Sequence, residues 1–91
     1  MDVNIKNLDD LRTFAAYLRN LGTSMADKFE NARAQMISVN EGWRDVENAR
    51  FMEEFGQSVD LIHQISEHMD RYSEFLLRKC DIIEQYLNTR L

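Results

Sequence analysis

Apolar side chains recur through the first half of the chain at spacings that alternate between three and four residues. The positions of this first ladder are Leu8, Leu11, Ala15, Leu18, Gly22, Met25, Phe29, Ala32, Met36 and Val39, all apolar except the glycine. Such an alternation keeps one face of a helix against a partner, so it predicts a coiled-coil-like helix over about residues 8–40. Asn7 is placed to cap this helix. Gly22 indicates either simple tolerance of a glycine, or a close approach of a partner helix or a kink.

The ladder stops at the segment VNEG, which begins at Val39. Asn40 and Gly42 are residues that commonly end helices, and Gly42 is a candidate for the left-handed position just after the helix. Asp45 can start the next helix by accepting from the free amides of its first turn. The sequence therefore predicts a turn over about residues 41–45 and a second helix over about residues 46–88. So short a connection makes the two helices antiparallel neighbours.

Two ladders run along the second predicted helix. The inner ladder is Met52, Phe55, Val59, Ile62, Ser66, Met69, Ser73, Leu76, Cys80, Ile83 and Leu87, and the outer ladder is Leu61, Ile65, His68, Tyr72, Phe75, Lys79, Ile82 and Tyr86. One antiparallel partner covers only one ladder, so the other indicates a further surface that requires burial. The sequence thus predicts an all-α antiparallel two-helix hairpin, a single domain of residues 1–91, that dimerises into a four-helix bundle. The expected interface consists of Leu61, Ile65, His68, Tyr72, Phe75, Ile82 and Tyr86.

The turn contains the only tryptophan of the chain, Trp43, four residues after the last position of the first ladder. A tryptophan at the tip of a hairpin can close the apolar end of the bundle. Phe51 and Phe55 fall one helical turn apart and can face the indole. We therefore expect Trp43 to be largely buried against one of these phenylalanines.

Composition narrows the classes of function. The 91 residues include no proline, 44% are hydrophobic, and the net charge is −5 without any basic stripe. Nucleic-acid binding and direct membrane insertion are therefore disfavoured, and no apolar run approaches the ~20 residues of a membrane span. The first ten residues lack the basic start and apolar core of a cleaved signal peptide, so we expect a chain that is cytoplasmic or is secreted without one.

The sequence offers little chemistry of the kind that enzymes use. Asp60, His63 and Glu67 share one helix face and could bind a metal with Asp27 or Glu30, but a solvated polar stripe is the ordinary interpretation. His68, on the outer ladder, is more typical of a half-buried interface histidine than of a ligand. The single cysteine, Cys80, has no base partner in the sequence and is expected in the core. We expect neither an enzyme nor a bound metal or cofactor.

The turn and its surroundings resemble the WXG family of helical hairpins. Trp43 matches the family's tryptophan, Phe51 the aromatic residue eight positions later, and Ala49 and Phe55 the usual small and bulky positions. Asp45 stands where the family has glycine. The resemblance covers nearly the whole chain. It implies homodimers or heterodimers with a similar hairpin, and substrates or partners of bacterial type VII secretion systems that leave the cell without a cleaved signal. A secretion ATPase or a larger secreted protein is implied as a further partner.

Two hypotheses about function follow. The first is a non-enzymatic interaction module of the WXG type that serves type VII secretion. The second is a cytoplasmic hairpin adaptor or secretion chaperone unrelated to that system. Many WXG proteins carry a tyrosine followed four residues later by an acid as a secretion signal. Here the residues four positions after the three tyrosines are Leu21, Leu76 and Arg90, so the signal is absent.

Overall fold

The computed structural model describes residues 5–89, which form an antiparallel hairpin of two long helices. Helix α1 spans Ile5–Asn40 and helix α2 spans Val46–Thr89, with no strand between residues 5 and 89. The hairpin is a rod of 70 × 15 × 15 Å. The predicted all-α hairpin and the position of its turn are confirmed. Helix α1 begins at Ile5, earlier than predicted, so Asn7 lies inside the helix and does not cap it.

The seam between the helices is built from the first ladder and the inner ladder. Leu8, Ala15, Val59 and Cys80 are buried. The other large members of the inner ladder, and those of the first ladder up to Met36, are half-buried. Small residues occupy the centre of the seam, where Ser73 of α2 is fully buried. Two helices alone leave the larger seam residues partly exposed to water, because a core needs surrounding elements on all sides. The hairpin therefore has a narrow core that is partly exposed to water on both sides.

Gly22 lies at a close approach of the two helices. A Cβ atom added there would stand 3.0 Å from the Cβ of Met69 and 3.2 Å from the carbonyl oxygen and the Oγ of Ser66. Neither Met69 Cβ nor the Ser66 backbone is the free end of a flexible side chain, so the helices would have to separate. Of the two interpretations of Gly22, the close approach of a partner helix is the one observed.

Ion pairs bridge the helices along one side of the hairpin. Their members on α1 are Arg12, Arg19, Glu30 and Arg33, and their partners on α2 are Asp60, His63, Asp70, Glu74, Asp81 and Glu84. All these side chains are at least one-third exposed, so each pair stabilises the fold only slightly. The ion pairs also show which side of α1 and which side of α2 lie on the same side of the hairpin. We call this side the ionic flank.

Helix α1 ends without a left-handed residue, so the prediction for Gly42 is wrong. The amides of Glu41, Gly42 and Trp43 each donate to the carbonyl three residues earlier, at 3.1–3.3 Å, and no glycine among the described residues has a positive φ. This tighter winding satisfies the last carbonyls and advances each residue further around the axis than an α-helix does. Asn40 faces α2, where its Oδ1 accepts from the side-chain amide of Asn48. Val39, placed by sequence on the inward ladder, is 53% exposed, because the 3.6-residue period of the helix carries it off the seam.

Candidate functional site

Asp45 caps α2 as its position in the sequence predicts. Its carboxylate Oδ1 accepts from the backbone amide of Asn48 at 2.8 Å, and its carbonyl accepts the first intrahelical bond from the amide of Ala49 at 3.1 Å. Because the first amides of a helix have no intrahelical partner, an acceptor at this position fixes where the helix begins. Asp45 therefore sets the start of α2 at Val46.

The same carboxylate also holds the tryptophan of the turn. Trp43 Nε1 donates to Asp45 Oδ2 at 2.9 Å. The amide of Asn48 and, secondly, the indole N–H stabilise the ionised form and lower the pKa of Asp45 below its ordinary value. One side chain thus closes the turn in two directions, toward α2 through Oδ1 and back toward Trp43 through Oδ2.

Trp43 is not the buried plug that the sequence predicts. Its exposed fraction is 39%, and that of Phe51 is 43%. Phe51 and Phe55 stack on each other, with centroids 5.8 Å apart, and among the described residues no ring pair joins either of them to Trp43. The prediction was wrong because it considered apolar packing alone, whereas the indole N–H finds its acceptor at the exposed edge of the turn.

Asn48 is a structural residue of the turn that the sequence interpretation missed. It is 2% exposed, and its side-chain amide donates to Asn40 Oδ1 and to the carbonyl of Trp43. These bonds tie the end of α1 to the start of α2. The available signal was its position: Asn48 lies four residues before Met52 and so extends the inner ladder by one polar rung.

The outer ladder of α2 is uncovered in the hairpin. Leu61, Tyr72, Phe75, Ile82 and Tyr86 are each 52–62% exposed, whereas Ile65 is half-buried and His68 is exposed. The ring of His68 stacks on Tyr72 at 6.1 Å, and Lys79 Nζ lies 5.9 Å from the centroid of Phe75. The prediction that α1 does not cover this stripe is confirmed, and what covers it remains a prediction.

Helix α1 contributes to the same uncovered surface. Arg19 directly follows the inward-facing Leu18 and points to the ionic flank, whereas Phe14 and Leu21 directly precede inward-facing residues and lie on the opposite flank. Tyr17 lies one turn from Phe14 on that opposite flank. Because the ionic flanks of both helices meet on one side, their other flanks share the other side. We call this surface the apolar face; its members are Phe14, Tyr17, Leu21, Leu61, Ile65, Tyr72, Phe75, Ile82 and Tyr86.

The candidate metal ligands form ion pairs instead. His63 Nε2 lies 2.7 Å from Glu30 Oε1, and Arg33 approaches both Glu30, at 2.7 Å, and Asp60, at 3.8 Å. Hydrogen bonds from His63 first, and then from Arg33, lower the pKa of Glu30. Within residues 5–89, no three His, Cys, Asp or Glu side chains are grouped so that they could hold a metal ion. The structure does not bring Asp27 or Glu67 into this group. Cys80 lies buried in the seam, as expected.

Neither described helix is both long enough and apolar enough to span a bilayer. Trp43, Asp45 and Asn48 are joined by hydrogen bonds at the hairpin tip, and the apolar face is left uncovered by the hairpin. Comparison with known protein families, characterised proteins and solved structures finds no match to this chain.

Proposed function

We propose that the chain is a non-enzymatic interaction module whose apolar face docks against another helical hairpin, either a second copy or a similar chain. One observation carries this proposal: most of the large apolar residues that the seam leaves uncovered lie together on one side of the rod, opposite the ionic flank. Seven of them, on both helices, are 50–62% exposed. At roughly 200 Å² for a large side chain, they present on the order of 700 Å² of surface.

That area supports a docking surface rather than an ordinary protein surface. Contiguous apolar patches on monomeric proteins rarely exceed a few hundred Å². A standard protein–protein interface buries roughly 800 Å² on each partner. The apolar face therefore has the size of an interface, and Tyr72 and Phe75 at its centre are of the types that dominate binding energy.

Within this class, we propose a WXG-type substrate or partner of a type VII secretion system. The support is the hairpin with Trp43 in its turn, Phe51 eight residues later, and a length close to that of WXG proteins. Asp45, which replaces the family's glycine, has its own task here as the cap of α2 and the acceptor for the indole. The missing tyrosine–acid signal favours the alternative, a cytoplasmic adaptor or secretion chaperone.

The interaction is tested by measuring mass in solution. The wild type should run as a dimer or carry a copurifying hairpin, and the Tyr72→Glu, Phe75→Glu double variant should be a monomer. The matched control is Ile37→Glu, Val46→Glu, because these residues are also apolar and more than half exposed but lie off the apolar face. A wild type that is monomeric at micromolar concentration without a copurifying partner refutes the proposal.

The secretion role is tested in the organism that encodes the chain. The tagged protein should appear in the culture medium of cells with an intact membrane-bound secretion ATPase and be retained in cells that lack it. Retention in both strains, together with stable association inside the cell, supports the adaptor alternative and rejects the secretion role.

A further inference from the structure

A groove lies at the tip of the hairpin, between the end of α1 and the first turns of α2. Its volume is about 540 Å³, within the roughly 300–1,000 Å³ of typical ligand sites. It is lined by Asn40, Arg44, Asp45, Val46, Asn48, Ala49 and Met52. Ala49 directly follows the buried Asn48, just as Asp60 of the ionic flank directly follows the buried Val59. The groove therefore opens on the side of the ionic flank, away from the apolar face.

Asn48 contributes a hydrogen-bond acceptor without a partner to this groove. Its Nδ2 donates to Asn40 Oδ1 and to the carbonyl of Trp43. Because the Trp43 carbonyl can only accept, the amide nitrogen must face it, and Oδ1 points away from it. This Oδ1 is buried in a side chain that is 2% exposed, and it accepts no hydrogen bond from the residues that the structure describes. An unpaired buried oxygen is unfavourable, so an occupant that brings an N–H donor stabilises the site.

The groove also presents apolar surface to water. Val46 is 79% exposed, more than any other large hydrophobic residue in the described part of the chain, Ala49 is exposed and Met52 is half-buried. An aliphatic side chain placed against these three residues would remove apolar surface from water on both partners. A small-molecule site usually buries most of its ligand, whereas this groove is open along one side. It therefore suits a segment of a larger molecule that covers it from outside.

The charge around the groove indicates the sign of its partner. Residues 41–54 carry five acidic side chains and two arginines, so this segment holds a net charge of −3 out of −5 for the whole chain. Glu41 directly follows Asn40, and Glu53 lies one turn after Ala49, so both lie at the rim of the groove. Both are exposed, and neither forms an ion pair with a residue in the described range. A rim of this sign attracts a basic partner.

We propose that the tip groove docks a basic, extended segment of a different protein. An aliphatic side chain of the segment packs on Val46, Ala49 and Met52, and a neighbouring lysine or arginine pairs with Glu53. A backbone amide of the segment donates to Asn48 Oδ1, which favours an extended chain over a helix, because the amides inside a helix are already bonded. The groove and the apolar face lie on opposite sides, so both can be occupied at once, and this inference does not depend on the proposed function.

Synthetic peptides test the chemistry of the occupant. The probe is a fluorescently labelled nine-residue peptide of alternating lysine and leucine, titrated with the full chain and followed by anisotropy. One control peptide has glutamate in place of lysine, and the other has serine in place of leucine. Each control should bind at least about tenfold more weakly than the probe. A serine peptide that binds as tightly as the probe shows that charge alone is sensed, and it overturns the proposal, as does a probe that does not bind.

Matched variants test the location of the bound probe. Val46→Ser should weaken binding roughly tenfold through lost apolar contact. Val39→Ser should not, because this exposed valine also lies near the tip but directly precedes the inward-facing Asn40, on the opposite flank. Glu53→Gln should weaken binding about threefold, and Glu67→Gln, which removes an exposed charge further along α2, should have no effect. Equal effects within either pair of variants overturn the assignment of the probe to the groove.

Two further measurements separate this groove from the apolar face. In NMR spectra, the side-chain amide of Asn48 should shift as the probe saturates the chain, and that of Asn20 on exposed α1 surface should not. An unmoved Asn48 signal at saturation overturns the proposal. The Tyr72→Glu, Phe75→Glu variant should bind the probe as the wild type does, and loss of binding there would show that the peptide occupies the apolar face. A chain that binds the probe but associates with no other hairpin supports the groove and refutes only the proposed function.

Discussion

Trp43 Nε1 donates a hydrogen bond to Asp45 Oδ2 at 2.9 Å, across a single intervening residue. The other oxygen of the same carboxylate caps α2 through the amide of Asn48. Asp45, which stands where WXG proteins have glycine, therefore has two structural tasks. A glycine could supply neither acceptor, so the turn of this chain is held by hydrogen bonds that a Trp-x-Gly turn lacks.

This carboxylate makes the stability of the turn sensitive to acid. The hydrogen bonds from Asn48 and Trp43 lower the pKa of Asp45 below its ordinary value of 3.8. A lowered pKa means that the contribution is fully present above about pH 4 and is lost as the pH falls through the folded-state value. A carbon-detected NMR titration should show the Asp45 carboxyl titrating below 3.8, with the Trp43 indole proton shifting at the same pH.

Two variants separate the parts of this effect. Trp43→Phe removes only the indole donor, so the pKa of Asp45 should rise partway toward 3.8. Asp45→Asn should lower the urea midpoint at pH 7, and this difference should shrink at pH 3, because the stability that a lowered pKa confers declines as the pH falls below 3.8. An equal loss at both pH values would show that charge plays no part in the cap.

Asn48 should be more sensitive to substitution than its polarity suggests. Its buried amide donates to two acceptors, Asn40 Oδ1 and the carbonyl of Trp43. Asn48→Asp keeps the shape but replaces the donor by a carboxylate oxygen, which faces these acceptors without a proton. We expect a loss of about 1–3 kcal/mol in unfolding free energy by urea denaturation. The control is Asn20→Asp on the exposed surface of α1, which should change stability little.

The three glycines should respond differently to alanine. At Gly22 the added methyl meets Met69 and Ser66 at 3.0–3.2 Å, so Gly22→Ala should destabilise the hairpin by about 1–2 kcal/mol despite its better helix propensity. At Gly56 nothing lies within 4 Å, and Gly56→Ala should stabilise by up to about 1 kcal/mol. Gly42→Ala should be close to neutral, since φ is not positive there. Thermal unfolding measures the change in stability of each of the three variants. Equal changes for Gly22→Ala and Gly56→Ala would contradict the close approach of the helices at Gly22.

The sequence is sufficient to predict the hairpin because its helices bury periodic faces. Burial on one side imposes a spacing of three and four, which is visible in both ladders and identifies the stripe around Tyr72 and Phe75 as uncovered. Asp45 could also be predicted as a cap, because capping depends on one local residue type.

Features set by single hydrogen bonds were not predictable in this way. Whether Trp43 packs on Phe51 or bonds to Asp45 depends on the path of three turn residues, and periodicity says nothing about that path. The ending of α1 is a similar case. A left-handed glycine and a tightened last turn satisfy the same carbonyls, and the residue types Asn40 and Gly42 suit both. The contribution of α1 to the apolar face required the cross-hairpin ion pairs, which show which flank Phe14 occupies.

Phe14 and Tyr17 should matter as much for association as the stripe on α2. They are 50% and 60% exposed, and they share the apolar face although they lie on the other helix. Truncating an aromatic anchor in an interface costs about 2 kcal/mol, roughly 30-fold in the dissociation constant. Phe14→Ser, Tyr17→Ser should therefore abolish association at micromolar concentration while leaving the helical circular dichroism unchanged. Ile37→Ser, also on α1 and 51% exposed but off the face, should associate normally in the same sedimentation experiment. If the Phe14→Ser, Tyr17→Ser variant assembles as the wild type does, the interface lies on α2 alone. The assembly is then not the four-helix bundle, and its partner contacts only α2.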